Sequence, residues 1–371
     1  MKNFRKALEK KLLHCRYNSF GADNYDKYRF GEFPKVDTPP QSSLLKIKNV
    51  IKKILRYKNR KFLKAYEGSL VKYESGLQRV YEQISIEGKE LLVDIIAYRL
   101  LGYKKVKLPL NNKKYWNTIE LTNSLVDKDD IYDPNFLHFI LQKCDLRKIG
   151  YDIQIYLSGI GVAIDFIIEQ YAYKTGGNAI VAVEKGDVVF DLGACWGNTA
   201  LYFASKIGEQ GKVYSFEFIT NNIKLFELNT TLNPSLKKKI ELIRNPVSDR
   251  SGEEIYFNDK GPSSRIEFQP FDEQTGQSTT ISIDDFVKSN NIRRVDFIKM
   301  DIEGAEPLAL YGAIETIKRF KPKLAIAIYH SMDDFVNIPS WIIDLNLGYR
   351  LYLGHYTIHS EETVIFAKVE V

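Results

Sequence analysis

The sequence predicts an α/β protein with a Rossmann-like, doubly wound and mostly parallel sheet. A late antiparallel edge pair completes that sheet, and a separate α+β domain precedes it. From Val188 onward, short apolar runs alternate with segments of helical periodicity, the pattern of strands joined by crossover helices. Within Asp187–Ala204 an apolar run ends in Asp191, turns through Gly193 and Gly197, and enters a helix at Asn198 or Thr199. Such a turn lets the backbone approach a nucleotide closely. The first 160 residues show no comparable alternation. The 371 residues suffice for two domains, expected at 1–160 and 161–371.

The N-terminal elements come first. Phe4 to Cys15 reads as a basic helix, followed by a polar stretch through Pro34, Pro39 and Pro40. Over residues 44–66, Leu44, Ile47, Ile51, Ile54 and Leu55 recur at helical spacing among nine lysines and arginines, without an acidic residue. A basic amphipathic helix can lie on an anionic membrane, hold a phosphorylated ligand, or present a solvated face while packing on its own domain. Residues 68–101 read as helical, Lys105–Lys113 as a hairpin edge, Asp133–Cys144 as a short helix and Tyr151–Leu157 as a strand.

In the second domain, strands are expected at Val188–Phe190, Lys212–Phe216, Ile240–Arg244, Val295–Lys299 and Leu324–Tyr329. Helices follow at Thr199–Ile207, Asn221–Asn229, Ser282–Lys288 and Pro307–Arg319. Glu254–Asn258 reads as an edge strand, and Arg350–Gly354 with Thr363–Lys368 as the late pair.

Composition narrows the class. The chain is 44% hydrophobic and 27% charged, as globular proteins are, with a net charge of +6. Cys15, Cys144 and Cys195 show no paired or metal-finger spacing, which points to a reducing compartment. No signal peptide is evident and no apolar run reaches the roughly 20 residues of a membrane span. The expected location is cytoplasmic, with the inner face of the membrane reachable through the basic segment. No nucleic-acid-binding module is present, so no nucleic-acid partner is expected.

Ligands of an open parallel sheet bind beyond the carboxyl ends of its strands. Four such ends carry Asp191, Glu217, Asp301 with Glu303, and His330. Glu217 ends the strand after the glycine turn, where a carboxylate can accept hydrogen bonds from vicinal ribose hydroxyls. The turn lacks the third glycine of a dinucleotide fingerprint, so it makes little provision for a pyrophosphate. A ligand with a ribose and no phosphate fits better, and S-adenosylmethionine is such a ligand. Its contacts are expected from Asp191, Gly193, Ala194, Trp196, Gly197, Asn198, Thr199, Glu217 and Phe218, with Trp196 either in the core or over the methionyl end.

The blocks Gly193-Ala-Cys-Trp-Gly-Asn-Thr, Val213-Tyr-Ser-Phe-Glu217, Asp296-Phe-Ile-Lys-Met-Asp301-Ile-Glu303-Gly-Ala-Glu306 and Lys321-Pro-Lys-Leu-Ala-Ile-Ala-Ile-Tyr-His330 fall in that order. Together they resemble the FkbM-type family of S-adenosylmethionine-dependent methyltransferases over roughly residues 160–371. The resemblance implies an enzyme that methylates hydroxyl groups, often on sugars of glycans, glycolipids or secondary metabolites. It also leads us to expect Asp where this chain has Asn198, a residue that can still cap the helix.

A sugar hydroxyl is a poor nucleophile near neutral pH and needs a base or a metal. Asp301, Glu303 and His330 are the candidate catalytic groups, His330 being the stronger base by intrinsic pKa. The same three are alternatively ligands of a divalent cation that orients vicinal hydroxyls. Glu306, before Pro307, reads as favourable charge at a helix start. Asp333 and Asp334 read as a cap, His138 as structural, and Ser263 and Ser264 as part of a loop over the donor. His355 and His359 are either hydrogen-bonded within the fold or substrate contacts. Rival functions are an N- or carboxyl-directed methyltransferase for a small metabolite, and a non-catalytic S-adenosylmethionine-binding scaffold in glycan assembly. The N-terminal domain is expected to supply saccharide or glycolipid acceptor contacts, or the contacts of a homo-oligomer.

Overall fold

The computed structural model describes residues 3–34, 48–136, 139–259, 261 and 264–370, with backbone alone at 48–58 and 265–266. Pro39, Pro40, Leu44, Ile47, His138 and Ser263 lie outside the described residues. The chain forms two compact units, Met1–Asn111 with Thr357–Ser360, and Asn112–Tyr356 with Glu361–Val371.

The first unit is built on helices Phe4–Cys15, Lys48–Leu70, Glu74–Gln83 and Ile86–Leu101. Phe4, Leu8, Leu12 and Cys15 recur along one face of their helix and are all buried, as an amphipathic stripe requires. Ser85 caps the Ile86 helix by accepting from the Gly88 N–H, and Gly102, at φ +73°, ends it. The hairpin edge expected over Lys105–Lys113 is not a strand, and a helix begins at Lys113. Carbonyls at the start of that stretch and just before it bond side chains instead: the Asn24 amide donates to Tyr103 O and Val106 O, and the Asn18 amide to Lys105 O. No helix among the described residues is long and apolar enough to cross a membrane.

The second unit starts at Asn112, earlier than the boundary expected near 160. Strands Val126–Tyr132, Leu141–Asp145 and Gln154–Leu157 form an antiparallel sheet in that order. Leu141–Asp145 is therefore a strand where a helix was expected. The backbone of Gln154–Leu157 is held by two asparagines of helix Thr220–Thr231 and its end. Asn229 bonds both backbone groups of Tyr156, and Asn233 both of Gln154. Those four bonds tie residues 112–160 to this unit.

Its centre is a seven-stranded sheet. We label the strands β1 (Val188–Leu192), β2 (Lys212–Phe216), β3 (Ile240–Ile243), β4 (Phe297–Met300), β5 (Lys323–Ala327), β6 (Tyr349–His355) and β7 (Thr363–Val369). The spatial order is β6-β7-β5-β4-β1-β2-β3. Pairing is parallel from β5 through β3, whereas β7 runs antiparallel to both β5 and β6. This is the expected Rossmann-like sheet with its reversed edge. All four residues of β4 are buried, as strands covered on both faces demand. Glu254–Asn258 is not an edge of this sheet but the middle of a separate three-stranded one.

Candidate active site

The order of the sheet sets the carboxyl ends of β5, β4, β1 and β2 side by side, so His330, Asp301, Asp191 and Glu217 come from four successive neighbours. After β1 the chain turns through Gly193 (φ +82°), Cys195 (φ +46°) and Gly197 (φ +83°) into helix Asn198–Lys206. The N–H groups of Gly193 and Ala194 both donate to Phe216 O at the end of β2. A Cβ on Gly193 would lie 1.9 Å from the carbonyl oxygen of Asp301. The turn therefore needs glycine for its backbone angle and for its contact with the loop after β4.

Asp191 is fully buried. Its Oδ2 accepts from the Thr199 hydroxyl at 2.8 Å, and its Oδ1 lies 3.2 Å from the Lys299 ammonium. With both oxygens so occupied, Asp191 anchors the turn rather than facing a ligand. Lys299 also donates to Leu192 O and Gly193 O. Thr199, predicted to touch the donor, spends its hydroxyl on Asp191.

Glu217 is buried, and its Oε1 accepts from the N–H groups of Phe218 and Ile219 at 2.8 Å each. Its Oε2 accepts from Asn222 Nδ2, whose Oδ1 takes the Trp196 indole N–H. Trp196 thus belongs to the core, edge-on to Phe136. Burial pushes the Glu217 carboxyl up to about 7 against the pull of these hydrogen bonds. Phe218 packs edge-on against Phe257. Asn198 does not cap its helix; Gly197 holds that position, and the Asn198 amide donates to Asp165 Oδ2 at 2.8 Å. Asp165 is buried as well, and burial pushes it up to about 7.

The loop after β4 carries Asp301, then Glu303 (φ +58°) and Gly304 (φ +95°), before the helix at Glu306–Tyr311. Asp301 accepts from the Tyr171 hydroxyl at 2.8 Å and from the Tyr329 hydroxyl at 3.1 Å. His330 Nε2 lies 3.4 Å from Asp301 Oδ1 and 3.8 Å from Glu303 Oε2, and Nδ1 lies 3.4 Å from Glu306 Oε1. Burial opposes charge on this ring, but Asp301, Glu306 and Glu303 together outweigh it and raise the imidazole above 6.5. Burial, reinforced by Asp301, pushes the Glu303 carboxyl up to about 7. The expected trio is brought together, and Glu306, read only as helix-start charge, joins it. Glu306 Oε1 does accept from Ile302 N–H at 2.8 Å.

Lys299, Asp165, Tyr171, Tyr329 and Asn222 are the residues that sequence reasoning missed. Lys299 alone left a signal, a cation inside an otherwise apolar strand. His355 is hydrogen-bonded to Thr363 at 2.9 Å. His359 is buried in the first unit, 3.6 Å from Asp26. Asp334, not Asp333, closes the turn before its helix by accepting from Ser331 N–H.

A parallel sheet with a glycine turn after its first strand and a reversed edge is the Rossmann-like architecture. Residues 181–351 match the family described as the methyltransferase FkbM domain. The C-terminal half of the chain is therefore similar to FkbM-type methyltransferase domains. Among solved structures, a methyltransferase FkbM from Methylobacillus flagellatus KT is similar over 81% of this chain at 17% identity, with a TM-score of 0.50. The chain spans 60% of that protein's length, and the likeness concerns the fold. Fibrillarin from Aeropyrum pernix, in complex with natively bound S-adenosyl-L-methionine, covers 66% of this chain and is itself covered over 97%, at 13% identity. Its TM-score of 0.33 is too low to bear on the fold. No curated protein matches the chain.

Proposed function

We propose that the protein transfers the methyl group of S-adenosylmethionine to a hydroxyl oxygen, with a sugar of a glycan, glycolipid or secondary metabolite as acceptor. The supporting observation is the row of neighbouring strand ends that sets the Gly193 turn and Glu217 beside Asp301, Glu303 and His330. Glu217 holds a ribose hydroxyl of the donor through Oε2, which has only the one bond from Asn222, and Asp191 keeps the turn in shape through Thr199 and Lys299. The acceptor oxygen attacks the methyl carbon in line with the departing sulfur. A C–O bond forms, the C–S bond breaks, and S-adenosylhomocysteine leaves neutral. The hydroxyl proton passes to the cluster of Asp301, Glu303 and His330. A divalent cation serves the same reading by making that hydroxyl more acidic.

The helical unit supplies acceptor or oligomer contacts in this reading. The nine lysines and arginines of 44–66 supply attraction to an anionic surface such as the inner face of the membrane in the same reading. Calorimetry with S-adenosylhomocysteine, followed by mass spectrometry of a panel of glycosides incubated with the donor, tests the proposal. Donor binding with a methyl gained on a sugar hydroxyl is expected. A folded sample that binds neither S-adenosylmethionine nor its product overturns it.

A further inference from the structure

We propose that Asp301, Glu306 and His330 form a binding site for a divalent first-row transition cation, with Glu306 rather than Glu303 as the second carboxylate. One donor atom from each of the three lies within 4.8 Å of the others. Glu306 is wholly withdrawn from solvent, and its Oε2 has no hydrogen-bond partner among the described residues. Both ring nitrogens of His330 are likewise buried without a hydrogen bond. Buried polar atoms are ordinarily satisfied, and leaving them bare is costly.

The separations indicate what fills the gap. His330 Nε2 stands 3.4 Å from Asp301 Oδ1 and the other ring nitrogen, Nδ1, 3.4 Å from Glu306 Oε1, and one nitrogen with one oxygen of each carboxylate gathers within 4.8 Å. Charge-assisted N–H···O bonds close to about 2.7–2.9 Å. Two carboxylate oxygens and an imidazole suit Mn2+ and its neighbours better than a purely oxygen-seeking cation. Carboxylates that ligate metals are themselves held by hydrogen bonds, and the Tyr171 and Tyr329 hydroxyls hold Asp301 in this way. Glu303, whose side chain is 38% exposed, is left as the open proton acceptor. This deepens the hydroxyl-directed reading above and rests on it.

The test is an electron paramagnetic resonance titration of the full chain with MnCl2, alongside calorimetry with S-adenosylhomocysteine on the same sample. Saturable uptake of a single Mn2+ is expected. Glu306→Gln and His330→Asn should each weaken it more than ~100-fold, beyond the loss that an outer-shell change alone brings. Circular dichroism shows whether each variant is folded, and retained S-adenosylhomocysteine binding shows that the donor site survives. A wild-type sample that binds S-adenosylhomocysteine but takes up no Mn2+ overturns the cation site and leaves the donor reading standing. Uptake that is unchanged in both folded variants also overturns it.

Discussion

Lys299 and Asp191 face each other in register on neighbouring strands β4 and β1, and their charged ends meet 3.2 Å apart with both side chains buried. The ammonium also donates to the carbonyls of Leu192 and Gly193, so this one pair fixes the exit of β1. Removing one partner leaves the other charge buried and alone, which costs about 3–5 kcal/mol. Urea unfolding of Lys299→Met should show a loss of that size. Adding Asp191→Asn to Lys299→Met should recover part of it, because the amide is uncharged and still accepts from Thr199. A single mutant as stable as the wild type would contradict the account.

Gly193 and Gly304 separate two causes of a glycine requirement. Both have positive φ, at +82° and +95°. A Cβ on Gly193 would meet the Asp301 carbonyl at 1.9 Å, whereas one on Gly304 would meet nothing within 4 Å. Gly304→Ala should therefore lose about 1–2 kcal/mol, the cost of a left-handed alanine. Gly193→Ala must in addition push the β1 and β4 loops apart. It is expected to lose more stability in denaturant melts and to weaken S-adenosylhomocysteine binding in calorimetry. Equal losses for the two variants would refute the distinction.

The strand ends were legible in the sequence because a parallel sheet binds ligands at one edge, and Asp191, Glu217, Asp301 and His330 each follow an apolar run. What lay hidden was pairing across distance. Asn198 looks like a helix cap until Asp165, 33 residues earlier, is seen to accept its amide. Glu306 looks like helix-start charge until His330 from the next strand arrives beside it. Leu141–Asp145 was misread because a short mixed run fits either period, and only its partners, Val126–Tyr132 and Gln154–Leu157, make it a strand. Lys299 could have been found, since a lysine in a central parallel strand needs a buried anion.

Burial pushes Glu217 up to about 7, so near neutral pH it is divided between its two forms. In the proposed reading the carboxylate accepts from a ribose hydroxyl at Oε2, the oxygen with a single internal bond, and protonation removes part of that capacity. Calorimetric affinity for S-adenosylhomocysteine should then rise as pH climbs through about 7 and level off above it. In Glu217→Gln the pH dependence should flatten and affinity should fall roughly tenfold, the effect of about 1.4 kcal/mol lost from hydrogen bonds to a charged group. An unaltered pH profile in Glu217→Gln would remove Glu217 from the donor site.

Asn198 and Asp165 supply a test by exchange. The Asn198 amide gives a hydrogen to Asp165 Oδ2 at 2.8 Å, next to Thr199 and the Asp191 pair. Asn198→Asp, the residue expected from the family resemblance, would set a second carboxylate against Asp165, itself already pushed up to about 7 by burial. Either a proton is taken up or two anions share a buried site, and stability at neutral pH should fall by about 1–3 kcal/mol. The double variant Asp165→Asn with Asn198→Asp restores one amide donor and one carboxylate acceptor across the same gap. Thermal melts should show the double variant recovering at least half of the loss. If the exchange recovers nothing, the hydrogen bond is not what makes Asn198 suitable at this position.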